Sequence, residues 1–327
     1  MHRLVSLFIG MLLAAFASVA AGEEIAVGNY GVSANGMPFG VALVKGYFKD
    51  EGLNITGLIS SAGGGTSLRN MLAGGGVPYG EVNPGVVVSA IQAGADLKIV
   101  SDNVLTVAEF VWAVKPDSPI KSIKDFKGKK IGYTNPRSTS QALARMLLQV
   151  GGYTEADAEL VKTGGFGEGI AALDSGQIDV AAITEPLWSK VKNKYRAVVV
   201  ASEVLPPLDN VVGVTTVEMA EKRGDFIRAV IRARRKAVQF MIAHPDEAAE
   251  IVAKQYNIEL DVAKSAVRNL TTSKTKGVPY WGEGQIHLEG LKRMIEAQRS
   301  VGAITGEVDY NKIIDTRFLP DDLKAIK

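Results

Sequence analysis

The sequence predicts an α/β protein of two similar lobes, each a mostly parallel sheet flanked by helices. Short apolar strands alternate with amphipathic helices along most of its 327 residues, the pattern of a parallel sheet. Residues 71–84 and 172–186 look like copies of each other: a helix end, a glycine that stops it, a short apolar strand, and a polar residue followed by Pro84 or Pro186. Roughly 100 residues separate them, well beyond the about 20 to 50 of solenoid repeats, so they mark two related lobes. The chain is long enough to give each lobe its own core.

Taken in order, residues 24–30 are the expected first strand, followed by a polar loop through Ser33, Asn35 and Gly36. A helix from near Pro38 then carries Phe39, Val41, Val44 and Phe48. Residues 53–59 form a second strand, and Gly63-Gly64-Gly65-Thr66-Ser67 introduces a helix with Leu68, Met71 and Leu72 on one face. Residues 96–100 are another strand. The apolar, β-rich stretch 107–114 has no helix before it and marks the crossing into the second lobe.

There, residues 130–133 are a strand, and Asn135 to Ser140 lead into a helix. Its Leu143, Met146, Leu147 and Val150 recur at i, i+3, i+4 and i+7, and Gly151-Gly152 stops it. Residues 197–201 are a strand, and Pro206-Pro207-Leu208-Asp209-Asn210 is the return crossing, short and restrained by its prolines. From residue 225 onward the pattern is helical, with no strand run, and these helices are expected to pack on the first lobe. Lobe 1 is therefore 23–107 plus 208–327 and lobe 2 is 108–207, with the two crossings as the hinge.

Arg3, the apolar run 4–16 and the small residues 17–22 are expected to form a cleaved secretory signal, placing the protein in the periplasm. The run falls short of the roughly 20 apolar residues of a spanning helix. There is no cysteine, so neither a lipid attached through cysteine nor a disulfide is available. With 37 basic and 35 acidic residues the charge gives no footprint for nucleic acid, and the basic clusters 121–130 and 228–236 are expected to be solvated faces.

An enzyme is not expected. Of three histidines, His2 leaves with the leader, His244 ends a helix ahead of Pro245, and His287 starts a helix. A metal site lacks its usual ligands, no cofactor motif is present, and neither a phosphate loop nor a Gly-x-Ser-x-Gly elbow occurs.

Binding has candidates. Ligands of open α/β sheets sit beyond the carboxyl ends of strands, where Asn83-Pro84 and Thr184-Glu185-Pro186 fall. Gly65-Thr66 and Ser138-Thr139-Ser140 put hydroxyls and free N–H groups at helix starts, which suit an anion or serve simply as caps. Arg137 can fork onto an acidic group or point into solvent. Asn29, Asn35, Asn83 and Asn135 follow strand ends, where an amide both donates and accepts or forms a turn. Glu185 and Glu81 disfavour a purely anionic ligand unless it also carries an amine or ring N–H. Trp112, Phe166, Trp188 and Trp281 can supply flat walls or core packing.

The motif Gly46-Tyr47-Phe48-Lys49-Asp50-Glu51-Gly52-Leu53, the run from Lys115-Pro116 to Lys130-Ile131, and Ala172 to Asp179 ahead of Glu185-Pro186 resemble a known family. It is the group of periplasmic substrate-binding proteins of ABC importers that handles nitrate, sulfonates, taurine and pyrimidine precursors. The resemblance covers nearly the whole chain after the leader. It implies a two-lobed Venus-flytrap fold that captures a small organic solute (a sulfonate, carboxylate or N-heterocycle) and delivers it, as a monomer, to a membrane permease driven by a separate ATPase. By position it implies a site of Asn29, Asn35, Gly65, Thr66, Asn83, Ser138, Thr139, Ser140 and Glu185, to which Arg137 is adjacent. The alternative is a secreted enzyme of the same fold, a pyrimidine-precursor synthase or a hydrolase. The lack of cysteine and the export signal weigh against the synthase.

Overall fold

The computed structural model describes residues 22–61, 64–73 and 77–326. Nearly all of the expected leader, Gly63 and the glycine stop 74–76 lie outside these residues. The chain first builds β1 (Glu23–Gly28), α1 (Met37–Val44), α2 (Tyr47–Asp50), β2 (Ile55–Ser61), α3 (Gly64–Ala73), β3 (Gly80–Val82), α4 (Pro84–Gln92) and β4 (Leu97–Val104). Ile25, Ala26 and Val27 are all buried, the signature of a strand covered on both faces. Gly46 and Gly52 take φ of 76° and 79° on either side of α2, a left-handed backbone that a Cβ would oppose.

The second lobe holds β5 (Phe110–Val114), β6 (Lys130–Tyr133), α5 (Thr139–Val150), β7 (Glu159–Lys162), α6 (Phe166–Asp174), β8 (Ala181–Thr184), α7 (Leu187–Val191), β9 (Arg196–Val200) and α8 (Ala201–Val204). The chain then returns through β10 (Val211–Thr216), α9 (Val217–Lys222), α10 (Gly224–Ala243), α11 (Pro245–Tyr256), α12 (Leu260–Thr272), β11 (Lys274–Thr275), β12 (Val278–Pro279), β13 (Trp281–Gly284) and α13 (Leu288–Ser300).

The larger sheet has the order β13-β4-β10-β3-β1-β2. In lobe 2, β8-β5-β9 is joined to β6-β7 through a parallel bridge between Ile131 and Val180. Because β10 is antiparallel to both β3 and β4, strands β1 to β4 all run the same way. Likewise β5 is antiparallel to β8 and β9, and the remaining strands of lobe 2 share one direction. The strand that enters each lobe from the other, β5 or β10, is thus reversed, and β13 at the edge of the larger sheet shares the direction of β10.

The crossings run side by side. Residues 105–109 lead out and 205–210 lead back, and the Asn210 N–H donates to the Val104 carbonyl at 2.8 Å. Separate apolar cores fill the lobes, one around Val27, Ile99 and Val212 and another around Trp112, Leu143 and Leu147. Met294 of α13 inserts into the second core, so this helix packs on lobe 2 as well as lobe 1.

Several expectations need correction. The segment from residue 225 onward does contain strands: β11 and β12 pair with each other, and β13 is an edge of the larger sheet. The glycines of Trp281-Gly282-Glu283-Gly284 hide β13 from a periodicity reading. Val150 closes the apolar stripe of α5 but is 53% exposed, because the helix ends there. Within the basic run of α10, Arg234 is buried and not solvated. His287 is no plain helix start: its N–H donates to the buried Asp102 carboxylate at 2.7 Å, and its Nδ1 lies 3.2 Å from that of Asp209.

Candidate functional site

A cavity of about 750 Å³ opens between the lobes. It is bounded by the ends of β1, β3 and β8, by the turns after β6 and β7, and by the starts of α3, α5 and α6, the place where α/β sheets take ligands. Phe110 and Phe166 form an aromatic wall, their ring centroids 5.9 Å apart and edge to face. Val32, Val86 and Leu187 add apolar surface.

Asn29, Asn35, Gly65, Asn83, Asn135, Arg137, Ser138, Thr139 and Ser140 line this cleft, whereas Thr66 and Glu185 do not. Asn29 sits at φ 54°, and its carbonyl accepts from the Val32 and Ser33 N–H groups, so it shapes the turn that follows β1. Asn35 is buried and donates to the Gly28 carbonyl and to the Glu81 carboxylate at 3.1 and 3.2 Å. Thr66 instead accepts from Arg69 at 2.8 Å.

Asn83 caps α4, with its Oδ1 accepting from the Gly85 N–H at 2.8 Å and Pro84 at the first helical position. Its amide N–H reaches across to Thr139 Oγ1 at 3.0 Å. Ser138 caps α5 through the Gln141 N–H. Ser140 is buried and accepts from the Thr134 N–H at 3.0 Å, which fixes the turn after β6. Arg137 is exposed at the rim with φ 64°, and its own N–H is held by Gln141 Oε1.

Glu185 and Asn83 occupy matching places in the two copies, and each lends a side-chain oxygen to the helix behind its proline. The Glu185 carboxylate accepts from the Ser189 N–H and hydroxyl at 3.1 and 3.0 Å and from Asn269 of α12 at 2.8 Å. It therefore ties lobe 2 to lobe 1 beside the cleft. Trp112 and Trp281 are buried in the cores, and only Phe166 of the four suggested aromatics reaches the cleft.

The cleft floor holds groups that sequence reasoning missed or left aside. Burial pushes the Glu81 carboxyl up to about 7, against the charge of Arg234 and the amides of Asn103 and Asn35. Arg234 lies beneath it, 3.4 Å from Glu81 through Nε, and also donates to the carbonyls of Gly282 and Asn103. Glu109, just before β5, is pushed up to about 8 by burial, against its own backbone N–H, Asn210 and Tyr280. Asn210 also lines the cleft and donates to Glu109 Oε1 at 2.5 Å. The polar pair Asp209-Asn210 after two prolines is the sequence signal for this corner, and it fits a plain crossing equally well. Among the described residues no group of three or more His, Asp or Glu is arranged to hold a metal ion.

The family model described as NMT1/THI5 like matches residues 33–248. Riboflavin-binding protein RibY of Chloroflexus aurantiacus is 23% identical over 297 residues, covering 86% of this chain and 82% of that protein. In structure the chain is similar to the periplasmic aliphatic sulphonate binding protein SsuA from Escherichia coli, with a TM-score of 0.76 and 19% identity over 90% of this chain and 92% of that one. It is also similar to the periplasmic nitrate-binding protein NrtA from Synechocystis, with a TM-score of 0.70 and 12% identity over 91% of this chain and 86% of that one. The matched residues include β2 to β10 and most of the cleft lining, so the chain belongs to the NMT1/THI5-like family, and it has the two-lobed fold of periplasmic binding proteins.

Proposed function

We propose that the protein is the extracytoplasmic solute-binding component of an ABC importer, holding a small organic solute between its lobes and passing it to a membrane permease with a separate ATPase. The observation that carries this reading is the cleft itself: a cavity of drug-like size walled by both lobes, apolar on its sides and polar at Asn29, Asn83, Ser138 and Thr139. The relatives named above support it, since each is a binding protein by name. Binding is favoured over catalysis because the two floor carboxyls are already engaged, Glu81 by Asn35, Asn103 and Arg234 and Glu109 by Asn210.

Within that role the preferred solute is a planar heterocycle with N–H donors rather than a bare oxyanion. Among the described residues lining the cleft the one basic side chain, Arg137, is exposed at the rim, which leaves a bare oxyanion without a buried cation, and the flat face of the ligand would lie on Phe110 or Phe166. A thermal-shift screen of protein lacking residues 1–22, stripped of any ligand by unfolding and refolding, tests both points. A solute at about 100 times its Kd adds about 2.7 kcal/mol to the folded state. Pyrimidines or riboflavin should raise the melting temperature more than alkanesulfonates, taurine or nitrate. A shift confined to the anions would overturn the solute class, and no shift at all would overturn the binding role.

A further inference from the structure

Asn210 in the return crossing is bonded to both lobes and to both crossings. Its N–H is held by the Val104 carbonyl at the end of β4. Its carbonyl accepts from Asn83 Nδ2 of lobe 1 at 3.1 Å, and its Oδ1 accepts from Thr139 Oγ1 of lobe 2 at 3.2 Å. Its amide nitrogen donates to Glu109 in the outgoing crossing. The residue is 9% exposed, so these bonds stand in place of water.

We propose that Asn210 is the positioning residue of the cleft, its amide braced by Glu109 so that Asn83 of one lobe and Thr139 of the other meet at one fixed separation. Asn83 and Thr139 are within hydrogen-bond reach of each other and of Asn210, so a single side chain defines the corner where the lobes meet. Without its Oδ1, Thr139 loses an acceptor; without its amide N–H, the buried Glu109 carboxyl loses its 2.5 Å donor. Either loss removes the preference for this lobe spacing. The proposal concerns the geometry of the free protein and stands whether or not the solute reading holds.

The brace needs one donor and one acceptor, which gives a test that a purely structural role would not pass. In Asn210→Asp, two carboxyls face each other and can share one proton, and above the pH at which that proton leaves they repel. In Asn210→Asp with Glu109→Gln, donor and acceptor are exchanged and no shared proton is needed. The other ionisable groups around the pair are Tyr280, with Glu81 and Arg234 beyond it, and Asp209 with Asp102, His287 and Arg293 on the other side. These are unchanged in every variant.

The native chain has no cysteine, so Gln177→Cys on lobe 2 and Glu250→Cys on lobe 1, both exposed, accept spin labels cleanly. Interlobe distances are then measured by electron–electron resonance in the ligand-free protein at about pH 6 and about pH 9.5, bracketing the titration of a buried acid pair. Asn210→Ala should lengthen and broaden the distance by several ångström at both pH values. Asn210→Asp should match the unsubstituted protein at the lower pH and lengthen at the higher, while the exchanged pair should match it at both. Melting curves check folding, and the exchanged pair keeps the test decisive if Asn210→Ala does not fold. An unchanged distribution in Asn210→Asp at the higher pH, or an exchanged pair that stays lengthened there, would overturn the proposal.

Discussion

Asn83 of lobe 1 donates to Thr139 of lobe 2 at 3.0 Å, and the same Asn83 caps α4 through its other amide atom. One side chain thus serves helix stability and lobe contact together, and substitutions separate the two roles. Asn83→Ala should cost about 1 kcal/mol through the cap, in addition to any loss of solute affinity. Thr139→Val spares the cap and should lower affinity while leaving the melting temperature of the free protein nearly unchanged. Chemical denaturation and calorimetric titration of both variants check the split.

Ser138, Thr139 and Ser140 are not equivalent. Ser140 is buried and holds the Thr134 N–H, so Ser140→Ala should destabilise lobe 2 by roughly 1–3 kcal/mol, the range for leaving a buried donor unsatisfied. Ser138→Ala should cost about 1 kcal/mol as a lost cap. Replacing all three at once would confuse unfolding with lost binding, so the single variants are the ones to compare by urea denaturation.

Glu185 should prove to be a strut between lobes and not a sensor of ligand charge. Glu185→Ala strands the Ser189 N–H and the Asn269 amide, and a loss of roughly 1–3 kcal/mol is expected. Because the carboxylate does not line the cleft, the order in which solutes stabilise the variant should be the order seen without the substitution. A reversed order would place its charge in the site.

Stability should fall as pH rises from weakly acidic to weakly basic. Glu81 and Glu109 have unfolded values near 4.5 and folded values of about 7 and about 8, and burial also raises Asp102 and Asp209. The folded state therefore binds more protons than the unfolded state across that window. Its advantage is complete below about 4.5 and is lost as pH climbs through about 8. Glu109→Gln should flatten the upper part of the decline, and melting temperatures recorded across this range check it.

How much of this was legible beforehand depended on whether a residue's role is local. The α5 start, the strand at 130–133 and the asparagines after strand ends follow from spacing and turn chemistry within a few residues. Glu185 was misplaced because its neighbour Asn269 is 84 residues away, and a Glu-Pro pair looks the same whether it faces a ligand or a helix. Arg234 is hidden for a similar reason: a basic run on a long helix looks solvated until Glu81 is folded against it. Asn210 carried only the signal of a crossing, since its partners come from three separate segments.

If a solute is held jointly by both lobes at the Asn83–Thr139 contact, thermal shift of stripped protein and of Thr139→Val against one solute panel shows it most directly. At least one N–H-bearing heterocycle should raise the melting temperature of the unsubstituted protein, and the increment should shrink markedly in Thr139→Val. An increment of the same size in both proteins, or none in either, would contradict it.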